Sequence, residues 1–240
     1  MYTFESRIRY SETDSEGKLT IASLINYFQD CSTFQSEDLG LGIRYLREHH
    51  LVWVLSSWQI VVDRYPGLCD RVITGTCPYE LKGFLGYRNF AMMDEHGGYL
   101  AKANSLWSLL HTDTGRPANI PEIMKEKYQL EERLEMDYAS RKIACLQGGV
   151  KKEPVVVKQH HLDMNHHVNN QQFIELAMGY IPEDFTVRQV RAEYKKQAFL
   201  NDRLIPEVVM QDGGCVVSLQ DDEGKAYAVV ELRGNSEGEN

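Results

Sequence analysis

The chain has 240 residues, long enough to bury a sizeable core as one large or two small domains, and its 42% hydrophobic and 25% charged residues are the balance of a globular protein. A net charge of −9 argues against nucleic acid as a partner, because phosphate binding calls for a basic surface. No apolar run approaches the roughly 18 residues of a membrane span, the first residues hold no signal-peptide core, and five cysteines without a CxxC pair point to a reducing cytoplasm.

In chain order, Arg7-Ile8-Arg9-Tyr10 reads as a strand running into an acidic loop, Ser11 to Gly17. Ile21, Leu24, Ile25, Phe28 and Cys31 then fall at helical spacing, with Ala22, Tyr27 and Phe34 on other faces. The pattern predicts a helix over 20–38, buried on most sides and stopping at Leu39-Gly40. Strand-like stretches follow at 52–55, 58–62, 71–76, 87–93 and 99–107. Asp94-Glu95-His96-Gly97-Gly98 between the last two carries the turn residues of a hairpin. Residues 113–154 break the pattern: Gly115-Arg116-Pro117 is a turn, Pro121 suits a helix start, and 122–142 is charged with few apolar positions. This predicts a helical, solvated connector over 121–153, between a first half at 1–120 and a second at 154–240.

The second half opens on Val155-Val156-Val157, a strand signal, and continues after a polar loop into Phe173-Ile174 and Leu176-Ala177-Met178, a helical one near 169–179. The loop between them, His160-His161-Leu162-Asp163-Met164-Asn165-His166-His167-Val168-Asn169-Asn170, crowds four of the eight histidines into eleven residues. Three readings compete. Asp163 or Asn165 can cap the helix that follows. A metal site is disfavoured: neighbouring histidines in an extended chain point to opposite faces, no cysteine lies near, and no HExxH spacing appears. The third is catalysis, since a strand-to-helix loop aims polar side chains and helix-start amides at a ligand.

Asp163-Met164-Asn165-His166-His167-Val168-Asn169-Asn170 resembles the D-x-N-x-H-V-N-N signature of the acyl-carrier-protein thioesterases of plants and bacteria. Downstream, Glu193-Tyr194-Lys195-Lys196-Gln197-Ala198 is similar to that family's E-Y-[RK]-[RK]-E-C segment. The resemblance extends to chain length and order of elements. It implies that Asp163, Asn165, His167 and Gln197 take the family's catalytic positions. Two departures stand out: Gln197 replaces the family's Glu, and Ala198 replaces its frequent Cys. A cysteine nucleophile is thus excluded there, Gln197 cannot act as a base, and Asp163 is the only carboxylate in the matched set.

The two halves also echo each other. Leu68-Cys69-Asp70-Arg71-Val72-Ile73 recurs as Leu200-Asn201-Asp202-Arg203-Leu204-Ile205, the 94–98 turn recurs in kind at 221–225, and Glu12-Thr13-Asp14 matches His161-Leu162-Asp163. An apolar helix followed by a meander of strands must bury both apolar surfaces together. The expectation is an α+β double hotdog, with two long helices each wrapped by a curved, mainly antiparallel sheet, as the resemblance also implies. The first half, with Glu16 and Lys18 where the second has Asn165 and His167, is then left to hold an acyl chain, lined by Tyr27, Phe28, Trp53 and Trp58. The resemblance implies a cytoplasmic hydrolase of fatty acyl thioesters on acyl carrier protein. It would use no metal or organic cofactor, and its partner would be the carrier with its phosphopantetheine-linked chain. A homodimer stays open, as do an acyl-CoA thioesterase and a non-catalytic acyl-thioester binder on the same fold.

Overall fold

The computed structural model describes residues 1–144, 148–182 and 185–236. The fold is α+β, rich in antiparallel sheet with few helices, and the chain divides into two compact units. The first comprises Met1–Ser56 and Val62–Tyr138, the second Ser57–Val61 and the chain from Ala139 onward. Cys145 lies outside the described residues.

The first unit contains β1 (Tyr2–Arg7), α1 (Ile21–Asp38), α2 (Ile43–Glu48), most of β2 (Leu51–Val62), β3 (Arg71–Lys82), β4 (Leu85–Asp94), β5 (Tyr99–His111) and α3 (Glu122–Lys127). Strands β1, β3, β4 and β5 pair antiparallel in that order. The opening strand lies earlier than the sequence suggests: Tyr2 pairs with Thr76 and Arg7 with Arg71. Past Arg7 the chain leaves the ladder because Glu12 draws it into a turn, its carboxylate accepting from the Arg9 amide at 2.8 Å. The two stretches at 52–55 and 58–62 are one strand, β2.

Helix α1 is explained by its ends and its inner face. The Thr20 hydroxyl accepts from the Ser23 amide at 3.1 Å, a side-chain cap on the first turn. Leu24, Ile25, Phe28 and Cys31 are fully buried, and the helix packs on β3 and β1. At the far end Gly40 turns left-handed (φ +66°). The Gly40 amide then reaches the Glu37 carbonyl at 2.9 Å and the Leu41 amide the Ser36 carbonyl at 2.8 Å, which closes the helix by a Schellman motif.

The second unit contains β6 (Val150–Lys151), β7 (Val155–Val156), α4 (Asn170–Met178), β8 (Phe185–Tyr194), β9 (Arg203–Gln211), β10 (Gly214–Gln220) and β11 (Ala226–Ser236). The Ser57–Val61 part of β2 pairs with β8, and β8, β11, β10 and β9 follow as antiparallel neighbours. Helix α4 lies on β11 through a buried face of Phe173, Ile174 and Ala177. It has nine residues against the eighteen of α1 and ends at Gly179.

The helical connector expected over 121–153 is helical at Glu122–Lys127 and nowhere else among its described residues. The reason is competition from side-chain acceptors on the sheets. In the first unit the Leu134 amide donates to Asn89 Oδ1 at 3.0 Å, and the Tyr138 hydroxyl donates to the same oxygen at 3.1 Å. In the second, the Ala139 amide donates to Gln59 Oε1 at 2.8 Å and the Ile143 amide to Glu193 Oε2 at 3.2 Å. Arg191 completes the hold, donating to the Ser140 and Lys142 carbonyls at 2.6 and 3.0 Å and to Glu231 at 2.7 Å. The segment is a strap, pinned at Leu134, Tyr138, Ala139, Ser140, Lys142 and Ile143 by side chains of the strands.

Arg191 gives a stability prediction with a defined pH window. Burial alone would raise the Glu231 pKa, but hydrogen bonds from Arg233 and Arg191 prevail and hold it below its ordinary value. A depressed carboxylate stabilises the fold above its unfolded pKa, about 4.3, and that contribution is lost as pH falls through the folded value. Arg191→Met should cost about 2 kcal/mol at pH 7, between the losses typical of exposed and buried pairs. Denaturant titrations at pH 7 and below pH 4 check it, since the gap from the parent should narrow in acid.

Candidate active site

Asp163, Asn165 and His167 stand in one tight loop whose shape the aspartate imposes. Asp163 Oδ1 accepts from the Asn165 amide at 2.8 Å and the His167 amide at 3.2 Å. The Asp163 amide donates to the His167 carbonyl at 2.8 Å, and the His166 amide returns to the Asp163 carbonyl at 3.1 Å. To close this ring His166 adopts φ +61°, the left-handed region that a residue with a Cβ enters at a cost of about 1 kcal/mol. The helix is capped separately: Asn169 Oδ1 accepts from the Gln171 amide at 3.2 Å. Asp163 therefore caps its own loop, not α4.

The same turn recurs. Asp14 Oδ1 accepts from the Glu16 and Lys18 amides at 3.0 and 2.9 Å, Asp94 Oδ1 from His96 and Gly98 at 3.0 and 2.9 Å, and Asp221 Oδ1 from Glu223 and Lys225 at 2.9 and 2.8 Å. In those three loops the left-handed residue is glycine: Gly17, Gly97 and Gly224. Asp14 and Asp163 also match in what surrounds them. The Thr20 amide bonds the Glu12 carbonyl at 3.0 Å as the Asn169 amide bonds that of His161 at 2.9 Å. Glu12 accepts from the Arg9 amide at 2.8 Å as His161 Nδ1 accepts from the Lys158 amide at 3.1 Å. That last bond leaves the His161 proton on Nε2, and burial, with His160 beside it, lowers its pKa.

The second matched segment meets the first through the backbone. The Val168 amide donates to the Ala198 carbonyl at 2.9 Å, and the His167 ring stands edge-on to Phe199 at 5.0 Å between centroids. This puts the loop carrying Gln197, whose side chain is exposed, against the loop carrying His167. Ala198 is buried, so its small side chain is a packing requirement. The first unit repeats the junction, with the Leu19 amide on the Pro66 carbonyl at 2.9 Å. The loops that follow agree as well: Asp70 Oδ2 accepts from Gly67 at 2.8 Å and Asp202 Oδ2 from Phe199 at 2.9 Å, with Cys69 and Asn201 at φ +70° and +71°.

Two residues of the second segment have roles that sequence reasoning missed. Glu193 holds the strap at Ile143. The Tyr194 hydroxyl, its pKa raised by burial, donates to the Asn170 carbonyl at 2.9 Å and ties β8 to the first turn of α4. Phe199 was missed too; an aromatic residue just past the motif, half exposed, was the available signal. Among the described residues no group of three His, Cys, Asp or Glu side chains is placed to hold a metal, and no helix is long and apolar enough to cross a membrane. A cleft of about 400 Å³ lies along β1 and β3 of the first unit, lined by Glu5, Arg7, Arg71, Ile73 and Glu95 among others, away from both loops in sequence.

Comparison with known proteins bears on the chain as a whole. Residues 1–128 match the model of the acyl-ACP thioesterase N-terminal domain and residues 148–231 that of the C-terminal domain. A chloroplastic acyl-ACP hydrolase of Cuphea viscosissima is 26% identical over 221 residues, 85% of this chain and 53% of that protein. A chloroplastic oleoyl-acyl carrier protein thioesterase of Arabidopsis thaliana is 24% identical, covering 81% of this chain and 60% of its own. The chain thus spans about half the length of such curated relatives. Among solved structures, an acyl-ACP thioesterase from Bacteroides thetaiotaomicron superposes with TM-score 0.87 at 22% identity over 97% of each chain. A 12:0-ACP thioesterase from Umbellularia californica gives 0.87 at 19% identity, over 99% of this chain and 98% of its own.

The duplicated turn yields a paired prediction. Asp14→Ala and Asp163→Ala each remove an acceptor for two loop amides and should cost a similar 1–2 kcal/mol or so. Asn at either position keeps an acceptor oxygen and should be near neutral. Urea titrations of the four variants check the symmetry; a cost confined to Asp14 would mean that the Asp163 loop is held by something else.

Proposed function

The chain belongs to the acyl-ACP thioesterase family, and from that premise we propose that it hydrolyses the thioester of a fatty acyl chain on acyl carrier protein, releasing free fatty acid. The observation that supports the reading is the meeting of the two motif loops, Val168 on Ala198 and His167 on Phe199, which sets the loop of Asp163, Asn165 and His167 against the segment that carries Gln197. In this reading each unit is one half of a double hotdog, the helix-bearing first unit holds the acyl chain, and the second performs the chemistry. The free thiols of Cys31, Cys69, Cys77 and Cys215 favour a cytoplasmic setting.

The chemistry follows from the groups present. Water adds to the thioester carbonyl carbon, the tetrahedral intermediate expels the thiolate, and the C–S bond breaks. Asp163 Oδ1 is committed to its loop, so the work of taking the water proton falls to Oδ2. His167 carries a proton to the leaving sulfur, since an imidazole nitrogen can both take up and give up a proton. The Asn165 side chain, exposed beside them, supplies an amide donor for the developing oxyanion. Gln197 orients the water by hydrogen bonding.

Asp163→Asn isolates the chemical role, because the loop keeps its acceptor while the carboxylate is gone. Single-turnover hydrolysis of an acyl-carrier thioester should fall on the order of 100- to 10,000-fold with the melting temperature unchanged. Hydrolysis within a few-fold of the parent would leave Asp163 as a turn residue only. Comparing acyl-carrier with acyl-CoA substrates separates the two hydrolase readings, and tight binding of either without turnover would favour the non-catalytic one that Gln197 invites.

Thiol chemistry should be a bystander. Burial pushes the Cys31 thiol up to about 12 and those of Cys77 and Cys215 to about 11, which leaves Cys69 as the one exposed thiol among the described residues. Alkylating Cys69 should leave turnover intact; stoichiometric inactivation with protection by substrate would revive a cysteine nucleophile.

A further inference from the structure

The first unit is an internal control for the second. Both build the same Asp-centred turn and the same Asp-capped loop after it, so a difference in side chain between them is not demanded by either turn. Three differences stand out on the outer surface. Where the first unit has Ser15, Gly17 and Gly67, the second has Met164, His166 and Phe199. Met164 is 59% exposed and Phe199 49%, and His166 is exposed as well.

The corresponding loops of the first unit do without all three. His166 occupies a left-handed position that glycine fills in all three sister turns. Met164 and Phe199 leave apolar surface in water. Yet they flank Asn165 and His167, and Phe199 touches the His167 ring. Sites that oppose stability in this way are where function is stored.

We infer that Met164, His166 and Phe199 form a recognition collar for the carrier side of the thioester, the pantetheine arm and the carrier surface next to it. The inference rests on the hydrolase reading above. A thioester at Asn165 and His167 has two sides. Its acyl chain must be buried away from water, so side chains that face solvent around the reacting carbonyl meet the other side. That side suits them: the arm alternates methyl groups and amides, which pack on methionine and phenylalanine and hydrogen-bond to imidazole. Lys158, exposed three residues before His161, adds positive charge for the arm's phosphate on an otherwise acidic chain. Phe199 has a second duty as a positioning residue, holding the His167 ring edge-on.

The test returns each position to its counterpart: Met164→Ser, His166→Gly and Phe199→Gly. Affinity is read by equilibrium binding of a carrier protein bearing an amide-linked, non-hydrolysable acyl chain, beside the same acyl chain on pantetheine alone and as the free acid. Each variant should bind the carrier-borne analogue roughly tenfold more weakly, while the ratio of its affinity for the free acid to that of the parent changes far less. His166→Gly should at the same time melt about 2 °C higher, because it relieves the left-handed residue. Equal losses on all three ligands, or carrier binding within twofold of the parent, would overturn the collar. Should Phe199→Gly disturb the loop, Phe199→Leu keeps apolar bulk without a ring: retained binding with a lowered kcat supports the positioning duty, and unchanged kcat and binding together refute it. Failure of the parent to turn over a substrate whose analogue it binds would sink the hydrolase reading and leave the collar standing.

Discussion

A carboxylate oxygen that accepts two amides of its own five-residue loop is the constraint on which much of this structure hangs. The device closes the β4–β5 and β10–β11 hairpins through Asp94 and Asp221, and it sets the approach to both principal helices through Asp14 and Asp163. Its geometry needs one left-handed residue, four places along the loop, and glycine meets that need without steric cost in three of the four. Because hydrogen bonds within the loop satisfy its amides, the outward side chains are free to vary. In the second unit that freedom is where the proposed chemistry sits.

Much of this was legible in the sequence because turn chemistry is local. The Asp-x-x-Gly-x pattern, the Leu-x-Asp-Arg repeat and the spacing of Ile21, Leu24, Phe28 and Cys31 each depend on residues only a few places apart, and each appears in the structure where the pattern puts it. Readings that failed depended on distant partners. The first strand sits at Tyr2–Arg7 because its partner is β3, with Tyr2 opposite Thr76 and Arg7 opposite Arg71. The strap after α3 is extended because Asn89, Gln59 and Glu193 receive its amides, and none of those lies close to it in sequence.

For the candidate site the motif identified the loop but not the division of labour inside it. Asp163 is legible as a carboxylate in a catalytic signature; only the sister turns show that half of that carboxylate is structural. Glu193 and Tyr194 belong to the second signature, yet their partners are the strap at Ile143 and the first turn of α4. The signature thus mixes groups placed for reaction with groups that brace the frame, and sequence alone gives both the same weight.

The strap has a consequence for how the molecule opens. Its amides end on single side-chain oxygens, whereas the strands beside it are zipped by continuous ladders. Releasing a strap residue breaks one or two bonds and leaves the strand ladders intact, so low-energy excursions of the native protein should include partial ones confined to this stretch. Deuterium would enter it well before the strands, and a protease would find its first cut there. For the same reason the stretch should readily accept an inserted sequence.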